Sequence, residues 1–153
     1  MHPNQRLDHQ TCFALYSAAR AATAAYRDAL DEIGLTYTQY VTLLVLWEQD
    51  GRTVSELGAA LHLDSGTLSP VLKRMAANGL VEKRREGEDG RRVTIHVTAA
   101  GHELETKVAS IQQRLYDAVD MDPDELAALR KLAQRFCESA NNLAEPTTEG
   151  TSR

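Results

Sequence analysis

The side chains with redox or nucleophilic potential in this 153-residue chain are two cysteines, Cys12 and Cys137, and five histidines. His2, His9, His62, His96 and His102 show no HxxxH or Cys/His ligand spacing, so no metal centre is expected and they read as surface residues. Neither cysteine belongs to a CxxC, and two cysteines do not make a disulfide framework. Cys12 stands one step before Phe13 in the alanine-rich stretch "DHQTCFALYSAARAATAAY". A thiol there is either a small hydrophobe in a packed helix or, with its pKa lowered, a thiolate nucleophile. Residue type alone favours inert burial, and the same holds for Cys137 beside Phe136.

A second kind of chemistry lies in the middle of the chain. Ser65, Gly66, Thr67 and Ser69 are small or hydroxylic, Lys73 and Arg74 follow, and Arg84, Arg85, Arg91 and Arg92 cluster further on. The net charge of −5 argues against a protein that coats nucleic acid indiscriminately. Between Gly51 and Thr98, however, eight basic residues face six acidic ones, and the rest of the chain carries nine against sixteen. A basic centre between acidic ends fits a protein whose middle alone approaches phosphates.

The order of elements supports that reading. Cys12, Tyr16, Ala19, Thr23, Tyr26, Leu30 and Ile33 alternate in steps of four and three, a heptad seam on a helix from about residue 8 to 33, which Gly34 ends. Thr36 with Gln39, and Thr53 with Glu56, are capping boxes that start a buried helix up to Asp50-Gly51 and a short one through Leu61. Asp64 or Ser65 starts a third helix closed by Gly79. Pro70 inside it implies either a late start with Ser69 as cap or an irregular first turn. "LVEKRR" and "RRVTIHVT" read as two strands around the turn "EGEDG", with Val93, Ile95 and Val97 inward and Thr94 and His96 outward.

Thr98 caps a helix with a stripe at Leu104, Val108, Ile111, Leu115 and Ala118, and Asp122-Pro123 starts a last one striped by Leu126, Leu129, Ala133, Phe136, Ala140 and Leu143. Trp47 is expected to anchor the core. The expected fold is mainly α with a small β-hairpin: a winged helix-turn-helix at about 36–98, flanked by helices at about 8–33 and 99–144 that form a dimerisation region, and a disordered tail at 146–153. All of this reads as one domain of residues 1–153. In it, Ser65, Thr67 and Ser69 would face base edges, Lys73 and Arg74 would reach phosphate or guanine, and the hairpin arginines would clamp the adjacent backbone. No apolar run is long enough for a membrane helix, and "MHPNQRLDHQ" has no apolar signal core, so a cytoplasmic protein with no membrane contact and no cofactor is expected.

The segments "LDHQTCFALYSAAR", "LTYTQYVTLLVLWE", "LDSGTLSPVLKRM" and "EDGRRVTIHVT" resemble the MarR-family repressors, and within them the organic hydroperoxide resistance regulators. The likeness runs from Leu7 to Leu132. It implies a homodimer that binds a pseudo-palindromic operator in double-stranded DNA, with organic hydroperoxides and a low-molecular-weight thiol as effectors. It implies further that Cys12 is the peroxide-reactive residue, that Tyr26 and Tyr37 hydrogen-bond its sulfur, and that Asp89 and Arg91 belong to the wing's Asp-x-Arg, the arginine entering the minor groove. In the two-cysteine branch of the family the resolving cysteine precedes the last helix, where "LYDAVDM" has none, so Cys137 reads as packing and a one-cysteine mechanism is favoured.

Helix geometry adds a constraint to these implied roles. Cys12 and Tyr26 are fourteen residues apart on one helix, about 21 Å at 1.5 Å per residue. If Tyr26 reaches this sulfur, it must therefore be the Tyr26 of the other subunit. Two competing readings are a repressor responding to a phenolic or aromatic ligand, with Cys12 incidental, and a thiol peroxidase. The latter has no need of a wing or a recognition helix, so an enzyme is not expected.

Overall fold

The computed structural model describes residues 5–86 and 91–144. Asp89 and the expected tail lie outside the described residues. After a 3-10 turn at Leu7–His9, an extended Gln10 leads into α1, Thr11–Asp31, which starts about three residues and ends about two residues inside its expected limits. Gly34 follows with φ +73°, a conformation that costs an L side chain. The helix α2, Tyr37–Glu48, begins on a complete capping box: the Gln39 amide donates to Thr36 Oγ1 at 3.3 Å and the Thr36 amide to Gln39 Oε1 at 2.9 Å. Thr53 and Glu56 repeat the device at the start of α3, Val54–Leu61.

Asp64 caps α4, Ser65–Ala77, which settles the two ways of accommodating Pro70. The helix does not start late at Ser69. Pro70 sits inside it, where its missing N–H would have served the Gly66 carbonyl one turn earlier. Gly66 is exposed, so water can take that role.

The hairpin strands β2, Val81–Glu86, and β3, Arg92–Val97, pair antiparallel with Val81 opposite Val97 and Glu86 opposite Arg92. A two-residue strand, β1 at Arg52–Thr53, pairs with the other edge of β3, giving the order β1-β3-β2. The third strand corrects the expected in-and-out alternation. Because β3 is central, Thr94 is fully buried and the His96 side chain is 12% exposed, while Val93 is half-buried. His96 is therefore not a surface histidine.

The remaining helices are α5, Ala99–Ala118, and α6, Pro123–Ala144. Thr98 Oγ1 accepts from the Gly101 amide at 3.1 Å, and Asp122 Oδ1 accepts from the amides of Asp124 and Glu125 at 2.8 and 2.9 Å, as their sequences predict. The chain divides into two compact units, Ala18–Asp117 and Met1–Ser17 with Ala118–Arg153. The first holds the core, built on Leu30, Leu43, Leu57, Leu72, Met75 and Ile95. In the second, none of the described α6 side chains is buried, and Leu129, Phe136 and Leu143 of its stripe are exposed. Among the described residues no helix is long and apolar enough to cross a membrane.

Candidate functional site

The α4 sequence alternates two faces. Leu68, Val71, Leu72 and Met75 are buried, which turns Ser65, Gly66, Thr67, Ser69, Lys73 and Arg74 outward on the opposite side. All five of the α4 residues expected to read DNA are thus exposed. Asp64 fixes the start of this surface by accepting from the Thr67 amide and from the Thr67 hydroxyl, both at 2.8 Å. Those two hydrogen bonds, the hydroxyl's first, hold the Asp64 carboxyl below its ordinary range.

On the hairpin the arginines are not equivalent. Arg84 Nε donates to Glu82 Oε1 at 2.7 Å along the same strand face, so its charge is already matched. Arg92 Nη2 lies 3.6 Å from Glu56 Oε1 and ties β3 to α3. Arg85 points to the other face of β2, and Arg91 is exposed at the entrance to β3.

Sequence reasoning missed the node beneath these arginines. His96 Nδ1 is 2.8 Å from Asp50 Oδ2, and Nε2 is 3.2 Å from Glu86 Oε1 and 3.1 Å from Thr94 Oγ1. Asp50 Oδ1 also accepts from the Val97 amide at 2.8 Å. Burial pushes the Asp50 carboxyl up, but the Val97 and His96 hydrogen bonds together outweigh it and leave it below the usual carboxylate range. The pairing depends on residues 46 positions apart, and no local spacing signals it.

The two tyrosines expected beside a sulfur are brought together with a third. Tyr26 and Tyr37 meet edge to face with ring centres 5.7 Å apart, Tyr26 stacks on Tyr40 at 5.3 Å, and Tyr37 meets Tyr40 at 5.5 Å. Gln112 Nε2 donates to the Tyr40 hydroxyl at 2.7 Å, anchoring the group to α5. Tyr40 was legible as the residue three after Tyr37 on one helix face; Gln112 was not. Burial first, then the hydrogen bond to Tyr40 and the neighbouring phenols, raise the Tyr26 hydroxyl well above its ordinary value, and burial raises Tyr37 too. Both remain hydrogen-bond donors throughout the neutral range.

Cys12 and Cys137 are both exposed free thiols in the chain by itself, so neither is packed inside it. Asn141 Nδ2 lies 3.7 Å from the Cys137 sulfur, one helical turn on. Cys12 is followed by exposed Phe13 and has exposed Tyr16 one turn on along the same face. In the same compact unit, Thr11 and Leu15 form a cleft of about 390 Å³ with Leu129, Leu132 and Phe136 of α6. Among the described residues no three His, Cys, Asp or Glu side chains are grouped to hold a metal.

With this geometry in hand, residues 24–108 match the family described as transcriptional regulator SarA/Rot. Over 136 residues the chain is 38% identical to the organic hydroperoxide resistance transcriptional regulator of Bacillus subtilis (strain 168), covering 89% of this chain and 92% of that one. The chain belongs to the SarA/Rot-type, MarR-family winged-helix regulators. It is also 46% identical over 125 residues to the HTH-type transcriptional regulator TtmR of Methylorubrum extorquens (strain PA1), covering 82% of this chain and 64% of TtmR's length. Among solved structures, reduced AbfR bound to DNA superposes with a TM-score of 0.78 at 29% identity, over 95% of this chain and 100% of the other. AbfR is a Staphylococcus epidermidis protein. As a MarR-family member the chain is a DNA-binding transcriptional regulator and not an enzyme.

Proposed function

We propose that this MarR-family regulator is a cytoplasmic homodimeric repressor that senses organic hydroperoxides through Cys12 and leaves a pseudo-palindromic operator when that thiol is oxidised. The observation that carries the reading is the setting of Cys12. It lies with Phe13, 44% exposed, and Tyr16, 58% exposed, on a helix whose only buried residue is Leu30. A face that apolar calls for cover, and a second copy packing along α1 and α6 supplies it. In that arrangement residues 8–33 and 99–144 form the dimerisation region and 36–98 the reader. The length of α1 keeps Tyr26 about 21 Å from Cys12 of its own chain, so the donors are the partner subunit's Tyr26 and the partner subunit's Tyr37. Names of relatives support the same chemistry: the Bacillus subtilis protein is a regulator of organic hydroperoxide resistance, and AbfR has been solved reduced, overoxidised and disulfide-formed.

Two phenols that keep their protons favour the thiolate by donating to it, and the start of α1 adds a favourable dipole. The thiolate attacks the outer oxygen of a hydroperoxide: an S–O bond forms, the O–O bond breaks, and the alkoxide leaves as an alcohol after taking a proton. The sulfenic acid then condenses with a small thiol, giving a mixed disulfide and water. The bulkier sulfur displaces the tyrosines and, through them, the spacing of the two α4 helices. On DNA, Ser65, Thr67 and Ser69 face base edges, Lys73 and Arg74 reach phosphate or guanine, and Arg84, Arg85 and Arg91 engage the backbone and minor groove.

A second reading gives Cys137 the resolving role, because both exposed thiols lie in one compact unit and AbfR has been solved in a disulfide form. A mobility-shift assay decides between them, using a duplex that the wild-type protein selects from a random library. Cumene hydroperoxide should release wild-type protein, and dithiothreitol should restore binding. Cys12→Ser should bind and ignore peroxide; release of that variant overturns the sensor reading. Cys137→Ser should respond normally, whereas an interchain disulfide on a nonreducing gel that this variant loses establishes the second reading.

A further inference from the structure

His96 is flanked by two acids that belong to different elements. Asp50 comes from the turn after α2, and Glu86 is the last residue of β2, where the wing begins. The other charged groups around the ring are already engaged. Glu82, its partner across the ladder, is held by Arg84, and Arg52 of β1 places its guanidinium on Gln49 at 3.0 Å. The ring is also fixed in place: a β-carbon on Gly51 would stand 2.9 Å from His96 Cε1, so backbone closes off that side.

In this fixed position the two protonation states make different hydrogen bonds. A neutral imidazole has one N–H, which serves Asp50, whose carboxylate stays ionised. Nε2 is then an acceptor; it takes the Thr94 hydroxyl and presents a lone pair to Glu86. With a second proton, Nε2 donates to Glu86, and the Thr94 hydroxyl turns to the Arg84 carbonyl, 3.4 Å away.

We propose that His96 is a positioning residue for the wing: protonated, it holds Asp50 and Glu86 together and draws the end of β2 onto the turn after α2, and neutral, it lets Glu86 go. Glu86 stands opposite Arg92 in the ladder and close in sequence to Arg91. Held by His96, its carboxylate is withheld from these arginines and from approaching phosphates, so DNA binding is tighter with the second proton on the ring than without it. The inference rests on the wing approaching DNA, as in the function proposed above.

The test is fluorescence anisotropy with the selected duplex, in reducing buffer at constant ionic strength, from about pH 5.5 to about pH 8. Wild-type affinity should be roughly fivefold higher at the acid end, the upper range for one exposed ion pair. His96→Gln and Glu86→Gln should both flatten the profile. A flat wild-type profile overturns the proposal, as does an unchanged profile in His96→Gln. An unchanged profile in Glu86→Gln overturns it too, because the imidazolium then acts by its own charge. Glu86 is exposed, so that variant remains informative if His96→Gln folds poorly. Arg85→Ala separates the role of the wing from the role of His96: an unchanged salt slope removes the wing from the DNA, whereas a reduced slope beside a flat wild-type pH profile removes only the role of His96.

Discussion

Gly101 in the first turn of α5 offers a sharp test of how the wing is joined to the helix behind it. Replacing an exposed helical glycine by alanine ordinarily stabilises by about 1 kcal/mol. Here the sign should reverse. Thr98 donates its amide to the Leu80 carbonyl at 3.1 Å and its hydroxyl to the Gly79 carbonyl at 2.5 Å, and it accepts from the Gly101 amide, so α5 is clamped over the turn that precedes β2. A β-carbon on Gly101 would overlap the Leu80 carbonyl oxygen and stand 2.6 Å from Val97 Cγ1. Carbon atoms rest about 3.5–4.0 Å apart, so the helix must retreat by about 1 Å. That motion breaks the Thr98–Leu80 hydrogen bond, worth about 1 kcal/mol, which cancels the propensity gain. Overpacking strain then leaves Gly101→Ala less stable by about 1–3 kcal/mol. Urea denaturation followed by circular dichroism, at one protein concentration for both proteins, reads the difference as a lower midpoint. A midpoint at or above wild type refutes the clamped junction. Gly79→Ala is the control, for nothing lies within 4 Å of its β-carbon and only its φ of +71° opposes the change.

Two further outcomes follow from the charged groups. The Asp50 carboxyl titrates below its ordinary value in the fold, so it contributes stability above its unfolded pKa of about 4, and that contribution is lost as pH falls through the folded value. Asp50→Asn should therefore be less stable at neutral pH and show a weaker loss on acidification, measured as urea midpoints between about pH 7 and about pH 3. On the wing, Arg85→Ala should lower the salt slope of DNA binding by about one for each phosphate it no longer neutralises, while Arg84→Ala should lower it less because Glu82 already holds that guanidinium. Equal effects would show that the Arg84–Glu82 pair opens on DNA.

Much of the scaffold was legible because its signals are local. Thr36 with Gln39, Thr53 with Glu56, Asp64, Thr98 and Asp122 each bond within three residues, and all stand where the sequence places them. The failures are non-local. A strand of two residues, Arg52–Thr53, has no alternation to detect, yet its pairing makes β3 central and turns Thr94 and His96 from surface to interior. Gln112 reaches Tyr40 from 72 residues away, and only the packing of α5 on α2 brings them together. Pro70 misled for a different reason. The helix keeps its course by leaving one exposed carbonyl to water, which residue statistics weigh too heavily.

The bond between Thr67 and Asp64 has a consequence beyond capping. In the DNA-bound arrangement proposed above, Thr67 has its only hydroxyl hydrogen committed to the carboxylate, so its oxygen meets the major groove as an acceptor alone. Such a side chain is met favourably by the exocyclic amino groups of adenine and cytosine and is repelled by the oxygens of guanine and thymine. An ordinary threonine, free to rotate, tolerates either. Under that proposed docking, one hydrogen bond to the helix cap would narrow the alphabet at a single operator position without any contact between Asp64 and a base.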